Sequence, residues 1–160
     1  MITLVTGNKN KAAEVAAFFS GVTEVAHRVF VCVEPQGDTV EEIDQSKAEQ
    51  AYAALGVPLI VDDTDLFISA LSGFPGPYAA SVQDTIGNDG ILRLMSGVPD
   101  RSAYFATAVA YADADGISVF SGRVSGTIAE AAWGADGFGY DPIFSVGSRT
   151  LAEITIAEKN

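Results

Sequence analysis

Four short stretches of the sequence combine residue types that suit phosphate chemistry. Asp62-Asp63-Thr64-Asp65 directly follows an apolar run, Pro58-Leu59-Ile60-Val61. Carboxylates at the carboxyl end of a buried strand stand where α/β proteins place ligands. Neighbours along a strand point to opposite faces, so Asp62 and Asp63 are expected to have different tasks. One of them can reach a hard cation and activate water. A solvated acidic turn explains the same residues equally well. Upstream, Thr6-Gly7-Asn8-Lys9-Asn10-Lys11 lies between a strand-like and a helix-like segment. Gly7 lets the backbone approach a ligand closely, and the amides of a helix start favour anions. Lys11 adds a point charge, and Thr6 and Asn8 add hydrogen bonds. The pattern is not that of a P-loop, and its plain alternative is Asn8 acting as a helix cap.

Two further stretches are weaker taken singly. Glu34-Pro35-Gln36 closes a second strand, and Pro35 holds Glu34 extended. Glu34 becomes a metal ligand if that strand lies near Asp63, and is otherwise a surface carboxylate. Glu41 and Glu42 compete for the role, but both fall at a helix start, where acidic residues are routine. In Gly137-Phe138-Gly139-Tyr140-Asp141-Pro142, two aromatics flanked by glycines can stack on a base, and Asp141 can accept from ring N–H groups. An aromatic loop packed on the sheet is the alternative.

These residues must be positioned by one modest domain, since the chain has 160 residues, 48% of them hydrophobic. Nine Lys and Arg stand against 21 Asp and Glu, a net charge of −12. Such a surface repels nucleic-acid backbones, which excludes DNA and RNA as expected partners. A phosphate site on it needs clustered lysines and a divalent cation. No apolar run approaches a membrane span, so no membrane partner is expected. Cys32 is the only cysteine, which points to a reducing compartment, the cytoplasm.

Periodicity predicts α/β architecture with a mixed sheet. Strands are expected over 2–6 and 25–33, and a helix over 9–20 with Ala12, Val15, Ala16 and Phe19 in register. A second helix is expected over 41–55, with Ile43, Ala51, Ala54 and Leu55 inward. A short strand over 57–61 should end at the acidic turn, with extended chain resuming over 66–71. Residues 73–77 and 133–142 read as loops, 88–95 as a helix, and 102–111 with 117–124 as a hairpin. The single histidine, His27, lies in the second strand and reads as structural.

Together the four motifs resemble the inosine triphosphate pyrophosphatase family, the house-cleaning nucleotide pyrophosphatases, and are nearest its archaeal-type members. The resemblance also covers Ala70 to Ala79, Thr85 to Met95, Arg101 to Phe105 and the closing Ala157-Glu158-Lys159-Asn160. It implies an elongated fold with a central mixed sheet, a nucleotide cleft between two lobes, and a homodimer. It also implies magnesium-dependent hydrolysis of non-standard purine nucleoside triphosphates (ITP, dITP, XTP) to the monophosphate and pyrophosphate. By position, Asp63 resembles the catalytic carboxylate that also holds magnesium. Glu34 resembles the other ligand, and Asp62 orients the pair or binds metal through water. Lys11 and Lys47 resemble phosphate ligands, expected to stand mostly exposed without substrate, with Thr6, Asn8 and Thr64 hydrogen-bonding. Phe138 resembles the base-stacking ring, and Asp141 and Lys159 resemble base or ribose contacts within a loop that includes Gly139 and Tyr140.

The sequence departs from the family pattern at two points. Asp65 stands where members have Gly or a small residue. The sequence ends at Asn160, where members continue with Ser-His-Arg and a final helix. A single pyrophosphatase domain without that tail is expected to keep phosphate and metal binding and to discriminate bases less well. A catalytically impaired nucleotide-binding member and a pyrophosphatase for other modified nucleotides are the alternatives.

Overall fold

The computed structural model describes residues 1–30, 39–135 and 137–154. The chain forms two compact units, one comprising 1–64 and 107–122 and the other 65–106 and 123–160. Eight strands hydrogen-bond in the order β2-β1-β3-β5-β6-β7-β8, with β4 on β3, and helices flank them. Parallel and antiparallel pairs coexist, which is the mixed α/β architecture that the sequence predicts.

In the first unit, β1 (Ile2–Val5) pairs in parallel with β2 (Val25–Arg28) on one side and with β3 (Leu59–Ile68) on the other. Helix α1 (Lys9–Phe18) connects β1 to β2, and α2 (Val40–Leu55) precedes β3. The core joins Val5, Leu59 and Val61 to Ala48 and Ala51 of α2, and to Ala110 and Ala112 of β5 (Ser102–Asp113). Helix α2 starts at Thr39, whose side chain accepts from the Glu42 amide at 3.2 Å, and ends on Gly56 at φ 64°. Glu41 and Glu42 therefore occupy the first turn, where acidic residues complement the helix dipole.

Three expectations about this unit need correction. The acidic segment is not a turn: β3 runs unbroken for ten residues through Asp62 and Asp65. Helix α1 buries no residue fully, and Ala16 is exposed. In α2, Ala54 is exposed, and the buried face is Val40, Ile43, Asp44, Ala48 and Ala51. The second strand is seen over Val25–Arg28, and the rest of the predicted span from residue 31 lies outside the described residues.

In the second unit, β4 (Pro75–Gly76) pairs antiparallel with the end of β3, so part of the predicted loop over 73–77 is a strand. Helix α3 (Ala79–Thr85) buries only Ala79 and Val82, too few apolar residues to show a helical period. Helix α4 (Gly87–Leu94) follows as predicted. Strands β5 and β6 (Gly116–Ile128), whose residues 107–122 belong to the first unit, are hydrogen-bonded neighbours joined by two residues, the predicted hairpin, longer than its periodicity suggests. The short strands β7 (Phe144–Val146) and β8 (Arg149–Thr150) close the order. Phe144, Ile143, Ile128, Leu66, Ile68, Ile91 and Met95 form a core that is essentially inaccessible to solvent.

One side chain ties this unit together. The Arg101 guanidinium donates to the carbonyls of Ile128 (2.7 Å), Met95 (2.8 Å), Val98 (3.4 Å) and Ala129 (2.7 Å). It thereby satisfies the end of α4 and the end of β6 at once. Arg101→Ala is expected to take the side-chain donor from all four carbonyls, of which Met95 keeps only the Val98 amide at 3.1 Å, and to cost about 3 kcal/mol. In a thermal melt this is a fall in Tm of roughly 6–12 °C. An unchanged Tm would show that water replaces the guanidinium without cost.

Candidate active site

The stretch from Thr6 to Lys11, expected from the sequence to bind phosphate, opens α1. The Asn8 side chain accepts from the Asn10 amide at 2.9 Å and the Lys11 amide at 3.3 Å, so the helix-cap reading of Asn8 is realised. Thr6 Oγ1 in turn accepts from the Asn8 amide at 3.1 Å, and Gly7, Lys9 and Asn10 are exposed. A β-conformation cap with satisfied side chains fixes the direction of α1 and hence of Lys11. His27 Nε2 contacts the Thr6 carbonyl at 2.6 Å, which supports the structural reading of that histidine.

Lys11 and Lys47 converge on one residue. Lys11 Nζ forms an ion pair with Asp62 Oδ2 at 3.0 Å, and Lys47 Nζ donates to the Asp62 backbone carbonyl at 3.0 Å. The Lys11 side chain is only 21% exposed and that of Asp62 14%. The expectation of two mostly exposed lysines is therefore corrected: Asp62, within β3, already holds both. Asp63 and Thr64 follow on β3, both half-buried, and Thr64 Oγ1 shares a 3.0 Å hydrogen bond with Thr107 Oγ1. Asp65 is buried.

A further carboxyl belongs to this cluster. Asp44 of α2 is completely buried, and neither carboxyl oxygen has a hydrogen-bond partner. Burial pushes its pKa up to about 8, Lys47 and Lys11 oppose the shift, and Asp62 and Asp63 reinforce it. Sequence reading passed over Asp44. Its signal was its place one turn before Ala48 and two before Ala51, a carboxylate within an apolar stripe.

Among the described residues, no three Asp, Glu, His or Cys side chains are grouped so as to enclose a metal ion. Magnesium does not require such a cage, because it keeps several waters and takes one or two carboxylates plus phosphate oxygens. The hard oxygens of Asp62 and Asp63, with the orphaned oxygens of Asp44 coupled to them, fit such an ion. Glu34, the other predicted ligand, lies outside the described residues, as do Lys159 and Cys32.

The remaining predicted residues lie in the second unit. Phe138 and Gly139 are half-buried, and the loop is self-stabilised. Asp141, almost fully buried, accepts from the Phe138 amide at 2.9 Å. A side chain at Gly137, at φ 80°, would place its Cβ 2.3 Å from Asp141 Oδ2, so only glycine fits this turn. Asn88 Nδ2 donates to the Gly139 carbonyl at 2.9 Å. Tyr140 is buried, and its hydroxyl donates to the Ala79 carbonyl at 2.5 Å. Burial, reinforced by Asp84, pushes its pKa up to about 12, so it remains a donor. The packed-loop reading thus accounts for Tyr140 and for one oxygen of Asp141. Asn88 had no sequence signal, because its partner is 51 residues away.

The elements define a mixed-sheet α/β protein in which two lysines from separate helices meet an acidic residue of the central strand. The chain belongs to the Ham1 family, whose sequence pattern matches residues 2–160. It is 44% identical over 162 residues to the dITP/XTP pyrophosphatase of Saccharolobus solfataricus, covering 99% of this chain and 84% of that one. It is 43% identical to the dITP/XTP pyrophosphatase of Methanosarcina mazei, covering 99% and 88%. Among solved structures, a HAM1 protein from Coxiella burnetii superposes with a TM-score of 0.82 at 30% identity, covering 100% of this chain and 90% of that one. A nucleoside-triphosphatase (dITP/XTP pyrophosphatase) from Mycobacterium abscessus gives 0.73 at 32% identity, covering 99% and 89%. No helix among the described residues is long and apolar enough to cross a membrane.

Proposed function

We propose that this chain hydrolyses non-standard purine nucleoside triphosphates (ITP, dITP and XTP) to the monophosphate and pyrophosphate. The observation that carries the reading is the convergence of Lys11 and Lys47 on Asp62, next to Asp63, in a chain over 40% identical to dITP/XTP pyrophosphatases. Bound magnesium would neutralise the triphosphate and polarise the α-phosphate. Asp63 and Glu34 would hold it, with Asp62 orienting the pair or binding through water. Asp63 positions a water and takes its proton. The oxygen bonds to the α-phosphorus, the bond from that phosphorus to the bridging oxygen breaks, and pyrophosphate leaves. Lys11 and Lys47 exchange Asp62 for phosphate oxygens and stabilise the charge on the leaving group. Thr6, Gly7, Asn8, Lys9, Asn10 and Thr64 line the phosphates. Phe138 stacks on the base, Asp141 and Lys159 contact base or ribose, and Gly139 and Tyr140 shape the loop. The chain acts as a homodimer in the cytoplasm.

Pyrophosphate release tests this reading. With magnesium, release from ITP and XTP is expected at a higher kcat/KM than from ATP, and without a divalent cation it should stop. No release from either substrate would overturn the assignment. Lys11→Ala and Lys47→Ala are each expected to raise KM for ITP about tenfold or more. Lys11→Ala also leaves Asp62 unpaired in a partly buried position and should cost about 1 kcal/mol of stability. Unchanged KM in both variants would remove the lysines from the phosphate site.

A further inference from the structure

The part of the cluster that the proposed mechanism does not use is Asp44. It is 0% exposed, both of its carboxyl oxygens lack hydrogen-bond partners, and it lies on the buried face of α2 one turn before Lys47. A buried carboxylate without a partner costs several kcal/mol, and a fold retains one when something present in the working state compensates it. The nearby cations compensate it only in part, since burial outweighs the attraction of Lys47 and Lys11. Lys47 reaches past it to the Asp62 carbonyl, and Lys11 is engaged by Asp62 Oδ2. The electrostatic coupling of Asp44 to Asp62 and Asp63 places all three acidic groups in one field. The ligand chemistry that such a group accepts is a cation with hard-oxygen preference, and a hydrated divalent ion offers both charge and water donors. Hydrophobic side chains would fill the same place on an apolar helix stripe if packing alone were required.

We propose that Asp44 is a further carboxylate of the divalent-cation site, supplying negative charge and acceptor oxygens to a hydrated cation held at Asp62 and Asp63. The inference rests on the metal-dependent reading of the site. Outer partners of this kind change metal affinity by about 10–100-fold. The rival role is positioning of Lys47, which would alter KM for triphosphate and leave nucleotide-free metal binding untouched.

The test is Mn²⁺ binding to the full chain without nucleotide, followed by electron paramagnetic resonance of the free ion. Asp44→Asn, nearly isosteric, is expected to weaken Mn²⁺ binding at least tenfold, and Asp44→Ala should do the same. Glu49→Gln, an exposed carboxylate on the same helix, removes equal net charge and should leave affinity unchanged. Unaltered Mn²⁺ affinity in the folded Asp44 variants overturns the proposal, as does an equal loss in Glu49→Gln, which would mean that only net charge matters. Pyrophosphate release by the unsubstituted chain separates the two possible failures. Release together with unaltered Mn²⁺ binding in the variants removes Asp44 alone. Absence of both release and Mn²⁺ binding in the unsubstituted chain removes the functional reading and this inference together.

Discussion

Replacing Asp63 with Asn is expected to lower the turnover of ITP by more than about 10²-fold while leaving the melting temperature within a few degrees of its original value. A positioned general base contributes roughly 10²–10⁴-fold, and the amide cannot take a proton from water. The change is nearly isosteric, so packing around the half-buried side chain of β3 is retained. Asp62 cannot substitute, because Lys11 holds its Oδ2 at 3.0 Å. The measurement is steady-state pyrophosphate release at saturating magnesium, alongside a thermal melt. Near-normal turnover in a variant with unchanged melting would show that the base is another group.

The parts of the site legible in the sequence are those whose signal is local. Asn8 as a cap and the start of α1 follow from a strand, a glycine and a polar residue before a helical stripe, all within six positions. Asp62 and Asp63 are marked by the apolar run before them. The convergence of Lys11 and Lys47 is not local: it depends on β3 passing beside both α1 and α2, so the reading of two solvent-facing lysines could not anticipate their shared partner. Asp62-Asp63-Thr64-Asp65 reads as a turn because charged residues are depleted in strands. Strand β3 overrides that preference through Leu59 to Val61 on one side of the acidic stretch and Leu66 and Ile68 on the other, all buried. Helix α3, β4, β7 and β8 are too short to carry a period at all.

The net charge of −12 also gains a local meaning. Around Asp62, two carboxylates and two lysines balance while Asp44 keeps its proton, and the cluster turns negative once Asp44 ionises. A triphosphate entering alone must draw Lys11 from Asp62 and so uncovers a carboxylate beside its own charge. Entering with a divalent cation, it brings the charge that the carboxylates lack. Substrate and metal are therefore expected to bind with positive coupling.

The same balance sets the pH dependence of stability. Asp44 has a folded-state pKa near 8 against 3.8 for the ordinary group, so the folded chain holds this proton over a range in which the unfolded chain has released it. A raised folded-state pKa makes the contribution most favourable below pH 3.8 and erodes it as pH rises towards 8. Within that window the slope is about 1.4 kcal/mol per pH unit. Asp44→Asn removes the titration and keeps the shape. Measured by urea unfolding in a chelator, the variant should therefore gain on the unsubstituted chain by an amount that grows on the order of 4 kcal/mol between pH 5 and pH 8 and levels off above it. Other carboxylates titrate in both proteins and cancel in the difference. A gain of that size is a large share of the stability of a domain this long, typically about 5–15 kcal/mol, so it is readily resolved. A difference independent of pH would mean that Asp44 ionises in the folded chain as easily as in the unfolded one, and that its buried oxygens are solvated after all.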